Sequence, residues 1–315
     1  MHISILWFWP FGQAITKLAL TKNPEQTIHC VDLDATFVTE QIQQNFANFS
    51  DRLIPISSKN PWIAEIYRNT DIIIVAVGSK YMIPVMQELA VVMKPWSGMV
   101  NVAKGLSPNG NIFLDEFLAL WRDDLSYAAL AWGMAAKDVM EWMPRGASIA
   151  ATSPEFGTIL EELLWSASLQ IHSSTDVRGV EMAGILKNIV SIQAWYHAVP
   201  DDEASIDAIV ESSVTQIKTH ADQLKIQAST FDHTYCRDHP EYGDIRTSCY
   251  GGTRNFMLGQ LRKKKWSLSD AIQHCIDQWI TVEWANTLKV LEWDPDHPLH
   301  VLPFVHELVS ELNKQ

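Results

Sequence analysis

Glycine is scarce in this chain. It occupies 14 of 315 positions, where a typical share of roughly 7% would supply about 22. Basic residues are also outnumbered, 24 lysines and arginines against 37 acidic residues, for a formal net charge of -13. That balance disfavours nucleic acid and anionic membrane as partners. It leaves room for a small anion, because a few local lysines and arginines reverse the sign inside a cleft. Four cysteines (Cys30, Cys236, Cys249, Cys275) are widely spaced and form no CxxC, so neither a disulfide framework nor a zinc ribbon is indicated. No apolar run reaches the about 18 residues of a membrane span, and no charged leader with an apolar segment precedes the first strand. The expectation is a soluble, cytoplasmic protein.

What is abundant is tryptophan, with 13 residues. Hydrophobic and charged contents of 47% and 19% are otherwise those of a globular protein, and the length allows two domains with their own cores. A surplus of tryptophan beside a deficit of glycine is the pattern left when glycine codons are written as tryptophan.

The first twelve residues show where this matters. Ile3–Leu6 reads as a buried strand, and Trp7, Trp9 and Gly12 then stand in a W-x-W-x-x-G arrangement where a dinucleotide turn has G-x-G-x-x-G. In that turn the first glycine permits the bend, the second lets backbone approach a pyrophosphate, and the third lets helix pack on strand. Indoles at the first two positions fill the space the diphosphate needs.

Apolar runs at Ile3–Leu6, Thr27–Val31, Asp71–Val77, Met99–Ala103, Tyr127–Ala131 and Ser148–Ala151 read as buried parallel strands. Helical stretches at Gln13–Leu20, Ala35–Phe46, Tyr81–Val92 and Phe156–Trp165 lie between them. This alternation predicts an α/β doubly wound, Rossmann-type sheet. Strand signals stop near 172–176. Helical periodicity follows at Val180–His197, Ala204–Gln223, Arg254–Arg262, Ser269–Leu291 and Val301–Leu312, predicting an all-α domain. The division is 1–174 and 175–315. The basic run at 262–265 reads as a solvated helix end.

Several segments carry chemistry. Asp32 closes the second strand about 20 residues beyond Gly12, where a carboxylate accepts from ribose hydroxyls; Asp34 is the competing candidate. An acidic group there repels a 2'-phosphate, and Leu33 offers no guanidinium to receive one. Lys104-Gly105 follows a strand at the sheet's carboxyl edge, where ligands bind in open α/β folds. Lys187 and Asn188 interrupt an apolar helix at a desolvation cost, and a buried lysine becomes a usable proton donor. From Gly243 to Asn255 the chain concentrates Asp244, hydroxyls, Gly251-Gly252 and Arg254-Asn255. The glycine pair allows a tight loop, Thr253 can cap a helix starting at Arg254, and helix amides with a guanidinium make a phosphate seat. His233, Cys236 and His239 have ligand-like spacing, but no second pair brackets them, so no metal is expected.

Taken in order, these segments resemble the NAD(P)-dependent glycerol-3-phosphate dehydrogenase family along nearly the full chain. Lys104-Gly105, Trp132-Gly133-Met134-Ala135-Ala136-Lys137-Asp138, Asp176 to Asn188, Gly243 to Asn255, and Val282-Glu283-Trp284 follow the family's sequence of motifs. The resemblance implies interconversion of dihydroxyacetone phosphate and sn-glycerol 3-phosphate with NAD, NADP being the alternative, in glycerophospholipid synthesis. It implies Lys187 as proton donor. Substrate contacts would come from Lys104, Trp132, Lys187, Asp244, Thr253, Arg254 and Asn255. Cofactor contacts would come from Trp7, Trp9, Pro10, Phe11, Gly12, Asp32, Lys104, Ala136, Arg254 and Glu283. It implies a homodimer, with no metal.

Departures from the family pattern are systematic. Trp7, Trp9, Trp96, Trp132, Trp142, Trp195, Trp266, Trp279 and Trp284 stand where the family has glycine. UGA is read as glycine in some bacterial lineages and as tryptophan under another code. Restoring these nine would raise glycine from 14 to 23, the usual share. Gly78 and Gly133, in place of expected prolines, and Tyr242 are not explained this way. Two other readings are a sister hydroxyacid dehydrogenase and a non-catalytic relative whose nucleotide turn is blocked by real tryptophans.

Overall fold

The computed structural model describes residues 1–23, 25–120, 122–132, 136–143, 145–198, 202–232, 240–250, 261, 268–277 and 284–312. The chain divides into two units. One holds Met1–Ala103, Phe113–Leu130 and Met134–Val177; the other holds Lys104–Ile112, Ala131–Gly133 and Arg178–Gln315. The main division therefore falls between 177 and 178, and two segments that leave the strands group with the helical unit.

The first unit is built on eight strands: β1 (Ile3–Leu6), β2 (Ile28–Asp32), β3 (Leu53–Ser57), β4 (Ile72–Val75), β5 (Gly98–Asn101), β6 (Ser126–Trp132), β7 (Arg145–Ala151) and β8 (Leu169–Ser174). Their order across the sheet is β3-β2-β1-β4-β5-β6-β7-β8. The pairs from β3 through β6 run parallel, as do β7 and β8. Thr152, just past β7, donates its N–H to the carbonyl of Tyr127 at the start of β6 (2.8 Å), so these two strands run antiparallel.

The helices of this unit are α1 (Pro10–Lys22), α2 (Ala35–Asn45), α3 (Ile63–Arg68), α4 (Ser79–Val92), α5 (Phe113–Leu118), α6 (Ala136–Met140) and α7 (Pro154–Leu164). All four residues of β1 and of β4 are buried, as expected of central parallel strands covered on both faces. The strand order reverses between β1 and β4. That point is where open α/β sheets bind ligands.

Two of the eight strands, β3 and β8, escape the sequence reading. Both are edges of the sheet. β3 carries Pro55 and the exposed Ile54, and β8 is largely polar, with exposed Gln170, His172 and Ser173. An edge strand has one unpaired side and tolerates proline and polar residues there, so neither presents a continuous apolar run.

The second unit contains α8 (Val177–His197), α9 (Glu203–Thr219), α10 (Ala221–Leu224), α11 (Pro240–Ser248), α12 (Leu268–Asp277), α13 (Trp284–Trp293) and α14 (Pro303–Leu312). From Gly179 to Ile192 every residue of α8 is buried except Lys187 and Asn188, which are half-buried. A helix buried on nearly all faces belongs in an interior, and besides Lys187 and Asn188 this stretch also encloses Glu181 and Ser191. The stretch read as one helix over Ala204–Gln223 is α9 and α10, separated at His220. Within Ser269–Leu291 the structure describes α12 and α13. Gly243–Ser248 belongs to α11, with Pro240 at its first position and Glu241 in its first turn, both helix-starting signals.

Candidate active site

In the first unit, the turn from β1 into α1 holds Trp7, Trp9, Pro10, Phe11 and Gly12. Gly12 is indispensable to it: a Cβ there would lie 2.4 Å from the carbonyl oxygen of Trp7. Without a side chain, α1 approaches the end of β1 closely. Asp32 ends β2 and is buried. Its Oδ2 accepts the N–H of Phe8 (3.0 Å) and its Oδ1 accepts the N–H of Leu33 (2.8 Å), so this carboxylate braces the turn. Asp34, the competing candidate, instead caps α2 by accepting from the N–H of Thr36 (2.8 Å). Ala136 begins α6.

Aromatic rings cover this turn. Trp7 stacks on Tyr81 of α4 with ring centroids 5.8 Å apart, and Trp9 tilts against Phe37 of α2 at 5.4 Å. The Trp7–Tyr81 pair spans the point where strand order reverses, because one ring follows β1 and the other follows β4.

In the second unit, one carboxylate receives two lysines. Lys187 on α8 donates from Nζ to Oδ1 of Asp244 (2.7 Å), and Lys104 donates from Nζ to Oδ2 (3.1 Å). The three side chains are only 9–15% exposed. Two ammonium groups on one carboxylate leave a formal charge of +1 in a desolvated place. Burial, aided by the neighbouring Lys187 charge and opposed by Asp244, pushes Lys104 down to about 8. Burial alone would raise Asp244, but the Lys104 and Lys187 charges outweigh it and hold the carboxyl below its ordinary range.

Contacts that sequence reading does not reveal fix the helix carrying Asp244. Arg246 makes a bidentate pair with Asp207 of α9 (2.9 and 3.0 Å) and also donates to the hydroxyl of Tyr250 (3.0 Å). Tyr250 donates in turn to Asp207 (2.7 Å), and Tyr242 donates to Glu211 (2.5 Å). Ser191 of α8 donates to the carbonyl of Ser248 at the end of α11 (2.5 Å). On the other side, the 104–112 segment is tied down by the Leu106 N–H donating to Thr287 (3.2 Å) and by His297 against the carbonyl of Gly110 (2.8 Å).

The structure thus brings Lys104, Lys187 and Asp244 together, and separately gathers Trp7 to Gly12 with Asp32. Trp132 ends β6. Thr253, Arg254, Asn255 and Glu283, with the 233–239 segment and the basic run at 262–265, lie outside the described residues. Three of the tryptophans, Trp266, Trp279 and Trp284, add nothing here: the first two lie outside as well, and the third begins α13.

Comparison with known proteins now decides the family. The profile for the NAD-dependent glycerol-3-phosphate dehydrogenase N-terminus matches residues 3–156, and that for its C-terminus matches residues 176–305. The chain belongs to this family. It is 25% identical over 296 residues to a glycerol-3-phosphate dehydrogenase [NAD(P)+] of Acinetobacter baylyi, covering 91% of this chain and 79% of the relative. Its fold is that of the glycerol-3-phosphate dehydrogenases of Plasmodium falciparum (TM-score 0.81, 16% identity, 100% and 92% of the two chains) and Coxiella burnetii (TM-score 0.76, 17% identity, 100% and 99%).

Glycerol-3-phosphate dehydrogenases are NAD(P)-dependent oxidoreductases with a Rossmann-type nucleotide fold. The backbone here suits that cofactor: a helix N-terminus after β1, Gly12 at its first turn, and an acidic residue ending β2. The side chains do not. Trp7 and Trp9 put two indoles, their ring centroids 6.5 Å apart, in the turn that leads into α1, at the two positions where a dinucleotide turn needs glycine to admit the diphosphate. With tryptophan at both positions, the turn does not fit the dinucleotide. Among the described residues no helix is long and apolar enough to cross a membrane.

Proposed function

We propose that this dehydrogenase interconverts dihydroxyacetone phosphate and sn-glycerol 3-phosphate at the Lys104–Asp244–Lys187 centre, in a chain whose nucleotide turn carries glycine at positions 7 and 9. The observation that carries this reading is the convergence of two lysines on one buried carboxylate. Reduction of the triose turns a carbonyl oxygen at C2 into a hydroxyl, so that oxygen gains negative charge and then a proton. A desolvated ammonium group serves both needs, since charge stabilisation is strongest where water is excluded. We assign the proton to Nζ of Lys187 and electrostatic support of the oxygen to Lys104. Asp244 holds both ammonium groups in place and keeps the pair from repelling. In oxidation the same groups act in reverse, a neutral lysine accepting the hydroxyl proton.

The substrate's phosphate needs its own anchor, and Thr253, Arg254 and Asn255 are proposed for it on the family resemblance. A guanidinium with helix amides suits a phosphate dianion. Asp32 is proposed for the ribose hydroxyls, with Ala136 and Glu283 nearer the nicotinamide, and two chains are proposed to pair as a homodimer.

Replacing Lys187 with alanine tests the assignment. The expected result is a kcat lower by about 10²–10⁴-fold, with NADH affinity little changed. A Lys187→Ala enzyme turning over at the parent rate would remove Lys187 from the reaction.

A further inference from the structure

The backbone itself disputes several of the tryptophans. Four non-glycine residues among those described have φ in the left-handed region: Trp7 (76°), Trp96 (67°), Trp142 (57°) and Lys225 (56°). A bulky side chain at such a φ is a genuine outlier, yet three of the four are tryptophan. Each of the three sits in a different motif, and each motif asks for glycine on its own grounds.

Trp96 is the third residue of a turn. The N–H of Ser97 reaches the carbonyl of Lys94 (3.4 Å), Pro95 stands second, and a positive φ stands third. Proline followed by a residue at positive φ is the type II pattern, which takes glycine at that third place. The indole of Trp96 is 87% exposed, so packing does not repay the strained backbone. Trp142 closes α6. Its N–H bonds the carbonyl of Val139 (3.1 Å), and the N–H of Met143 bonds that of Asp138 (2.9 Å). These two bonds define a Schellman motif with Trp142 at the left-handed C′ position, normally a glycine. Lys17 lies over the Trp142 ring at 4.3 Å, but the residue remains 41% exposed. Trp7 is the first residue of the nucleotide turn, where glycine permits the bend.

Lys225 marks what an ordinary exception looks like. It ends α10 in the same Schellman geometry as Trp142, its N–H bonding the carbonyl of Asp222 (3.1 Å) and the N–H of Ile226 that of Ala221 (3.0 Å). The left-handed place therefore admits an unbranched, flexible side chain, and the objection at 142 is to an indole there. Trp9 is different again. Its φ of -80° is open to any residue, and the objection to it is the place of its ring, 51% exposed beside the turn.

We infer that the protein made in its own cells carries glycine at positions 7, 96 and 142, and by the same decoding at position 9. The nucleotide turn is then G-x-G-x-x-G, open to a dinucleotide diphosphate. One codon read as glycine in some bacteria and as tryptophan under another code accounts for all four. The identities at 96 and 142 stand on backbone geometry alone. Only the opening of the turn rests on the dehydrogenase reading.

The test is peptide sequencing by mass spectrometry of the protein isolated from the cells that make it. Glycine at 7, 96 and 142 is expected; tryptophan at 96 or 142 overturns the inference. Alongside it, the printed chain and a chain carrying Trp7→Gly and Trp9→Gly are titrated with NADH by calorimetry. Saturable binding by the glycine chain alone is expected, and equal binding by both overturns the argument at the turn. Glycine in the native peptides with no NADH binding by either chain would uphold the decoding and defeat the dehydrogenase reading instead.

Discussion

At the scale of single residues, Asp244 bears most of the weight. Its two oxygens each hold one lysine, and all three side chains are largely buried. Removing one charge from such a cluster leaves the others uncompensated, which costs about 3–5 kcal/mol for a buried pair. Asp244→Asn is therefore expected to unfold at clearly lower urea concentration than the parent and to lose activity; an unchanged urea midpoint would contradict the cluster's burial. Lys104 sets a pH limit. Because its folded-state value lies near 8, its ammonium is present below that pH and lost above it. Reduction should slow as pH rises through about 8, and Lys104→Arg, which keeps its charge, should remove that limb from the kcat/KM profile. The same depression has a sign for folding. The native state releases this proton before the unfolded chain does, so the contribution of Lys104 to stability rises with pH between about 8 and its ordinary 10.5.

The residue scale also shows what sequence reveals and what it hides. Lys187 and Asn188 are visible because charge and amide inside an apolar helix demand an explanation. Asp207, Glu211, Tyr242, Arg246 and Tyr250 are not visible, because their meaning lies in pairing across 31 to 43 residues of chain. No local pattern announces such contacts.

At the scale of elements, the two lysines and Asp244 come from three segments that must be held in register. α8 is fixed by burial on nearly all sides. α11 is short and polar and depends on its clamp to α9. Arg246→Ala is expected to leave the protein folded, since that ion pair is over a third exposed and exposed pairs contribute little. It should nevertheless lower kcat by about ten- to a hundredfold by letting Asp244 drift, with Arg246→Lys failing to restore it because a lysine cannot bond bidentately. A kcat equal to the parent's would make the clamp merely structural. Strand visibility follows the same physics. β4, all isoleucine and valine, stands out because both faces are covered. β3 and β8 do not, because an edge strand obeys weaker compositional rules. α11 is not legible, because Gly243, Asp244, Thr247 and Ser248 present no helical periodicity of apolar residues, although Pro240 and Glu241 open it as a helix.

At the scale of the whole molecule, each unit gathers its own group of residues: the doubly wound sheet holds the turn from Trp7 to Gly12 with Asp32, and the helical unit holds the buried Lys104–Asp244–Lys187 centre. The sheet and the helical segment are both legible from strand and helix periodicity. The grouping of the 104–112 segment with the helical unit is not, because it depends on contacts such as Leu106 with Thr287 and Gly110 with His297. The central claim is that the native chain, with its turn open, reduces a phosphorylated triose. The most direct measurement follows NADH oxidation by the protein isolated from its own cells, supplied with dihydroxyacetone phosphate or with unphosphorylated dihydroxyacetone. The account predicts steady turnover with the phosphate ester and little without it; NADH left unconsumed in the presence of dihydroxyacetone phosphate would contradict it.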